Sequence, residues 1–268
     1  MAETRKVILE TKGLTKHYGG VQALNEADFK MYVDEHIAIV GDNGAGKSTF
    51  VRNITGVEQR TGGDVLVDGQ PVNFASPQEA REHGIETVYQ NLALADHLDV
   101  PANIFLGREE VKFNLGPLSW LNKKAMAKRS KELLDETGIK IPDMRQPVAG
   151  MSGGQRQCVA ISRAAGWGSK LIIMDEPTAA LGIQETTRVE EIIRGLKARG
   201  VPVIIISHNL RQVFNLVDRI VVFRQGRIAG ASQEFERDTG GVPVPPPARR
   251  PFGVARQVAG ADRPPLPH

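Results

Sequence analysis

Three stretches of the chain are apolar at almost every position: HIAIVG at 36–41, KLIIMDE at 170–176 and VPVIIISH at 201–208. Runs this short and this continuous belong to strands covered on both faces. The first leads into a helix from Lys47, and the third follows the helical stretch TTRVEEIIRGLKARG, so the rhythm predicts a mainly parallel sheet with crossover helices. VLVDGQPVNF breaks that rhythm. Its apolar residues alternate around Asp68-Gly69, a strong hairpin signal, and it adds an antiparallel β flank to the α/β core. From about 91 to 167 the pattern turns helical: NKKAMAKRSKELLDETG sets Met126, Leu133, Leu134 and Thr137 on one face and stops at Gly138, which predicts a helical sub-domain inserted into the core.

None of the apolar runs approaches the roughly 20 residues needed to cross a bilayer. MAETRKVILETKG at the start has no apolar signal core, so the protein is expected in the cytoplasm, held at a membrane only through a partner. A chain of 268 residues has the size of one globular domain, expected over 1–242. Beyond it, 243–268 carries eight of the sixteen prolines and reads as a disordered or extended tail. The lone Cys158 excludes an internal disulfide and a cysteine zinc site, and is expected to be a buried thiol. A pI of about 9.0 raises nucleic-acid binding. The excess of base, however, sits in the tail, where Arg249, Arg250, Arg256 and Arg263 face only Asp262; the rest of the chain is neutral and carries no basic footprint for a phosphate backbone.

Chemistry enters at GDNGAGKST, residues 41–49, which satisfies G-x-x-x-x-G-K-[ST] with Gly41, Gly46, Lys47 and Ser48 and lies between an apolar strand and a helix start. The loop Gly41, Asp42, Asn43, Gly44, Ala45, Gly46 lets backbone N–H groups converge on phosphate oxygens. Lys47 then reaches the terminal phosphates and Ser48 ligates Mg²⁺. LIIMDEP supplies a carboxylate at a strand end for the metal, Asp175, and beside it Glu176 as the base for an attacking water. The fold class is therefore a P-loop NTPase core. MSGGQ at 151–155 is a second candidate anion cradle: Ser152 and Gln155 fit a capping box, and the same glycine-opened helix start, Ser152, Gly153, Gly154, Gln155, offers free N–H groups to an anion.

These motifs in this order resemble the nucleotide-binding subunit of an ATP-binding-cassette (ABC) transporter, with MSGGQ as its signature, over residues 6 to about 235. The resemblance implies ATP and Mg²⁺ as ligands. It also implies a head-to-tail homodimer in which the signature helix of one copy closes on the ATP held by the other. Tyr18 in HYGG resembles the aromatic that stacks on adenine, Gln90 in VYQN the glutamine that reaches Mg²⁺ and the attacking water, and His208 in IIISHN the histidine on the γ-phosphate; Thr49 follows as a phosphate contact. Met151 stands where leucine is usual, and Gly182 in TAALGIQ where aspartate is common.

GDNGAGKST, ETVYQNLAL, NIFLGRE and EPTAALG together are similar to the monosaccharide-importer branch. Many subunits of that branch carry two fused cassettes, and this chain has one. The implied partners are a second copy, transmembrane permease subunits engaged through the helical region around 91–110, and, indirectly, an extracytoplasmic sugar-binding protein; nucleic acid is not among them. An ABC ATPase of another substrate class and a nucleotide-switch regulator without useful hydrolysis are the rival readings.

Overall fold

The structure, a computed structural model, describes residues 5–113, 120–168 and 170–233. The expected tail at 243–268 lies outside the described residues. In chain order the strands are β1 (Val7–Tyr18), β2 (Val21–Tyr32), β3 (His36–Val40), β4 (Gly62–Val67), β5 (Gln70–Val72), β6 (Ile85–Val88), β7 (Val111–Phe113), β8 (Trp120–Leu121), β9 (Leu171–Asp175), β10 (Val203–Ile206), β11 (Arg219–Arg224) and β12 (Arg227–Gln233). The helices are α1 (Lys47–Ile54), α2 (Pro77–Glu82), α3 (Val100–Ile104), α4 (Lys123–Glu136), α5 (Gly153–Trp167), α6 (Ile183–Ala198) and α7 (Leu210–Val213).

The three apolar runs become adjacent strands. In the sheet ordered β12-β11-β3-β10-β9-β6, β10 lies between β3 and β9, with Ile204 opposite both Ile37 and Ile173. All the pairings are parallel except β11 with β12. Alternate residues of β3 feed separate cores, as the period of two requires. Ile37 and Ile39 join Phe29, Phe50 and Phe223 beneath α1 and the antiparallel sheet; Phe50 meets each of the other rings at 5.2 Å. Ala38 and Val40 join Val159 and Ile161 of α5 and Ile193 of α6 on the other face. Cys158 is buried there, and burial pushes its thiol up to about 11, so it is inert as a nucleophile.

The antiparallel flank has the order β2-β1-β4-β5. The Asp68-Gly69 turn is as expected, with both residues at positive φ (51° and 76°), the backbone of a type I′ hairpin. β1 and β2 were not legible. Each is 12 residues long, but their pairing shifts register several times, with Gly13 and Glu26 at positive φ, and every shift breaks the apolar alternation. The helical expectation for 91–167 needs one correction: β7 and β8 pair there as a short antiparallel hairpin, with Val111, Trp120 and Leu121 exposed. α4 agrees with the expectation, burying Met126, Leu133 and Leu134 and ending before Gly138 at φ 70°.

Two buried polar groups brace β3. Arg219 donates to Glu35 twice, at 2.6 and 2.9 Å, and ties the start of β11 to the β2–β3 turn. His36 is 1% exposed; its N–H donates to Asp218 at 2.9 Å and its Nε2 meets the Val201 carbonyl at 2.9 Å, while Nδ1 is buried without a hydrogen-bond partner. Burial holds this imidazole below its ordinary pKa, so the folded state resists a proton that the unfolded chain accepts near pH 6.5. The unfolded state then binds more protons, and the contribution of His36 to stability is complete above about pH 6.5 and declines as the pH falls. The midpoint of urea unfolding is expected to drop between pH 7 and pH 5, and to drop less in His36→Gln; an equal drop in both proteins would contradict this.

Candidate functional site

The strand order brings the chemistry to one edge. The ends of β3, β10 and β9 point the same way, so Gly41, Ser207–His208 and Asp175–Glu176 emerge side by side. After β3 the chain enters the loop 41–46 and turns into α1. Only glycine fits at Gly41 and Gly46: φ is 148° and 105°, and a Cβ would stand 2.3 Å from the Phe223 carbonyl oxygen and 2.8 Å from that of Ala23. The loop is thereby pressed against β11 and β2, with its N–H groups left at the mouth of α1. Lys47 is 9% exposed, and its Nζ donates to the carbonyls of Gly41 (2.6 Å) and Asp42 (3.0 Å), so the ammonium lies across the loop.

Opposite the loop, Glu176 follows the last residue of β9 with φ 50°, a left-handed conformation rare for a residue with a side chain and of a kind concentrated at functional sites. Its N–H donates to the Ile206 carbonyl at 2.9 Å, and its Oε1 accepts both the His208 N–H (3.1 Å) and the His208 Nδ1–H (2.8 Å). The strained carboxylate is thus anchored from β10, and Nε2 of His208 is left toward solvent on a largely exposed ring. Burial first, and then the charge of Glu176, raise Asp175 above the ordinary carboxylate range, against the opposing pull of Lys47 and Arg52. A cation beside Asp175 would relieve both causes.

Gly41, Asp42, Asn43, Lys47, Ser48, Gln90, Asp175, Glu176 and His208 all line one cleft of about 790 Å³. Sequence reasoning missed its apolar wall, which includes Leu210 and Phe214; the signal available was the apolar spacing in NLRQVFNLV. Gly44, Ala45, Gly46 and Thr49 form the loop backbone and first helical turn beside the cleft without lining it. Tyr18 also stands outside it, at the end of β1. It donates its hydroxyl to Glu58 and lies under the Lys16 ammonium at 5.0 Å.

The second cradle is separate. Ser152 Oγ accepts the Gln155 N–H at 3.2 Å and Gln155 Oε1 accepts the Ser152 N–H at 2.9 Å, the reciprocal capping box. Ser152 and Gly153 are exposed, and neither they nor Gly154 and Gln155 line the cleft. One copy therefore presents a glycine-bent loop with its lysine and carboxylates and, elsewhere, a helix N-terminus exposed at Ser152 and Gly153.

Residues 24–179 match the family model of the ABC transporter. The chain belongs to the ABC transporter family. It is 49% identical to the fructose import ATP-binding protein FrcA of Rhizobium meliloti, over 82% of this chain and 86% of that one. It is 45% identical, with the same coverage, to the xylose/arabinose import ATP-binding protein XylG of Sulfolobus acidocaldarius. It is 41% identical to the ribose import ATP-binding protein RbsA 1 of Rubrobacter xylanophilus, of which it spans 45%. Among solved structures, the ADP conformation of an ATP-binding cassette of an ABC transporter superposes with a TM-score of 0.73 at 28% identity, over 85% of this chain and 91% of that one.

Two positions where this ABC protein departs from the resemblance have structural accounts. Met151 is buried at 5% exposure in the core beneath α5, where its volume substitutes for leucine. Gly182 precedes α6, and a Cβ there would stand 2.6 Å from Oε2 of Glu185, whose side chain also fills the space over Gly154. A carboxylate from within the same turn already occupies the place, and an aspartate would bring a second one against it.

A second cavity, of about 550 Å³, opens between α2 and β6 on one side and the segment 104–109 on the other. Glu86 is buried in its wall and pairs with Arg108 at 2.7 Å; burial raises the carboxyl despite that partner. Trp167 closes the other end, donating to the Ile104 carbonyl at 3.0 Å and standing edge-on to Phe105.

Proposed function

We propose that this ABC protein is the ATP-hydrolysing subunit of a monosaccharide importer, and that two copies share two nucleotides head to tail. What carries the reading is the separation of parts: one cleft gathers Lys47, Ser48, Gln90, Asp175, Glu176 and His208, while the Ser152 cradle lies outside it. A second copy supplies its own Ser152, Gly153, Gly154 and Gln155 to the terminal phosphate held by the first. The sugar class comes from the relatives, whose names specify fructose, xylose/arabinose and ribose import.

In this reading the loop N–H groups of 41–46 and Lys47 bind the phosphates, with Thr49 as a further contact and Tyr18 against the adenine. Mg²⁺ takes oxygen ligands and few carboxylates, which suits Ser48, Gln90 and Asp175 on one cleft; when bound it neutralises charge on the phosphate oxygens. Glu176 accepts a proton from water as the water oxygen bonds to the γ-phosphorus and the bond to ADP breaks. His208, held through Nδ1 by Glu176, keeps Nε2 for the γ-phosphate. Residues 91–167 serve as an arm on the 1–242 domain, and a helix of the permease docks in the second cavity, between Glu86 and the segment 104–109. Among the described residues no helix is long and apolar enough to cross a membrane. The subunit is peripheral at the cytoplasmic face, held there by the permease, and the sugar-binding protein acts on it only through that permease.

Mixing two impaired variants tests the shared site. Lys47→Ala destroys the cradle and Ser152→Arg blocks the signature, yet a heterodimer of the two contains one site in which both halves are wild type. Turnover is expected to rise on mixing far above that of either variant alone; no recovery in a mixture shown to contain heterodimer would count against the head-to-tail arrangement. For the sugar class, ATPase activity of the complex reconstituted in vesicles with its permease and binding protein is expected to rise with a pentose or hexose and not with an amino acid.

A further inference from the structure

Between the two cavities runs a short bridge, Gln90 to Ala93. Gln90 opens onto the nucleotide cleft, and Ala93 onto the second cavity. The bridge is bent by two consecutive residues in the left-handed region, Leu92 at φ 57° and Ala93 at φ 45°, neither of them glycine. Side chains at Cβ disfavour that backbone, and two such residues in a row hold only when the surroundings impose them. The short-range bonds Leu92 N–H to Tyr89 O (2.8 Å) and Ala93 N–H to Asn91 O (2.7 Å) shape the turn. They leave the carbonyls of Leu92 and Ala93 pointing at one side chain. Arg163 of α5 donates Nη1 to the Ala93 carbonyl at 2.9 Å and Nη2 to the Leu92 carbonyl at 3.0 Å.

We propose that Arg163 is a positioning residue for Gln90: its guanidinium clamps the strained Leu92–Ala93 turn, and through this clamp α5 sets how Gln90 projects into the nucleotide cleft. α5 is the helix that begins at the Ser152 cradle, and Arg163 lies roughly 15 Å along it at 1.5 Å per residue. One turn further on, Trp167 fastens the same face of α5 to Ile104. A rotation of α5 on engaging a second copy would carry Arg163 with it, and either hold the turn or let its strain relax. The planar fork donates from two nitrogens, one to each carbonyl, whereas a lysine at this position would have to reach both carbonyls from a single nitrogen. Partial burial, with Arg81 and Arg108 nearby, lowers the pKa of the guanidinium from its ordinary value, and Glu86 opposes that shift.

The inference rests on the reading of Gln90 as a residue that acts at the nucleotide, and the test separates the two. In the full-length protein, Arg163→Met is expected to lower kcat about tenfold, the scale of coupling carried by residues that touch neither ligand. KM for MgATP should stay within about twofold, because the clamp orients and does not bind. In a Gln90→Ala background the same substitution should change kcat no further. Arg163→Lys should lose activity too, and Ala93→Gly, which relieves the strain at one of the two left-handed residues, should return part of it; this pair serves if Arg163→Met does not fold. A wild type without turnover, or a silent Gln90→Ala, overturns the reading of Gln90 and the clamp with it. An active wild type and an impaired Gln90→Ala, combined with Arg163 variants that either match wild-type kcat or multiply the Gln90→Ala loss, overturn the clamp alone.

Discussion

Glu176→Gln is expected to lower kcat about a thousandfold, within the range that a positioned general base supplies, and to leave nucleotide binding intact. Glutamine keeps the shape, so its amide oxygen can still accept the His208 N–H that Glu176 accepts at 3.1 Å. What it loses is the ability to take the proton from water. The left-handed backbone at 176 and the hydrogen bond to Ile206 belong to the main chain and survive the change. The variant should therefore bind two MgATP, close and remain closed, and size-exclusion chromatography should find a dimer that holds ATP, where the wild type elutes after hydrolysis as monomer with ADP. A variant with wild-type turnover would remove Glu176 from the role of base, and another carboxylate of the cleft would have to fill it. Asp175 is the alternative on geometry, since it ends β9 and lines the same cleft.

What could be read from the sequence, and what could not, divides along physical lines. β3, β9 and β10 were legible because strands buried on both faces must be apolar throughout, and α4 because its buried residues recur at helical spacing. Lys47, Ser48, Asp175 and Glu176 stood out as candidates because phosphate chemistry constrains residue type and spacing together, and the structure brings all four to one cleft. β1 and β2 hid behind their register shifts, and β7 and β8 are too short for any period to show. Gln90 and His208 carry no local signal; they were reached through the resemblance, and the fold then brought both to the cleft. Arg163 left a trace that was passed over. It sits four residues after Val159 and four before Trp167 on one face of α5, where a charge among apolar neighbours calls for a buried acceptor. The acceptors themselves, two carbonyls exposed by a left-handed turn at Leu92 and Ala93, leave no mark in residue type, because that turn contains no glycine.

Lys47→Ala is expected to weaken nucleotide binding at least tenfold and to bring kcat/KM down about a thousandfold, since the ammonium meets the charge that builds on the phosphates during transfer. In the structure Nζ is held by the carbonyls of Gly41 and Asp42, so it lies over the loop before any phosphate arrives, and little side-chain freedom is left to lose on binding. Loss of this charge acts on a second group as well. Lys47 is one of two cations that hold Asp175 down against burial and the neighbouring Glu176. Without it the Asp175 carboxyl rises further, a larger share of it is protonated at any given pH, and the metal loses an anionic ligand. The residual activity of Lys47→Ala should therefore begin to fall at a higher pH than that of the wild type on acidification. Lys47→Arg separates the two effects: it keeps a charge beside Asp175, but its planar head does not reproduce the point contact across two carbonyls. It should recover the pH profile without recovering the nucleotide affinity. Nucleotide titration and turnover measured across pH for the three proteins decide the matter, and wild-type affinity and rate in Lys47→Ala would remove Lys47 from the phosphate site.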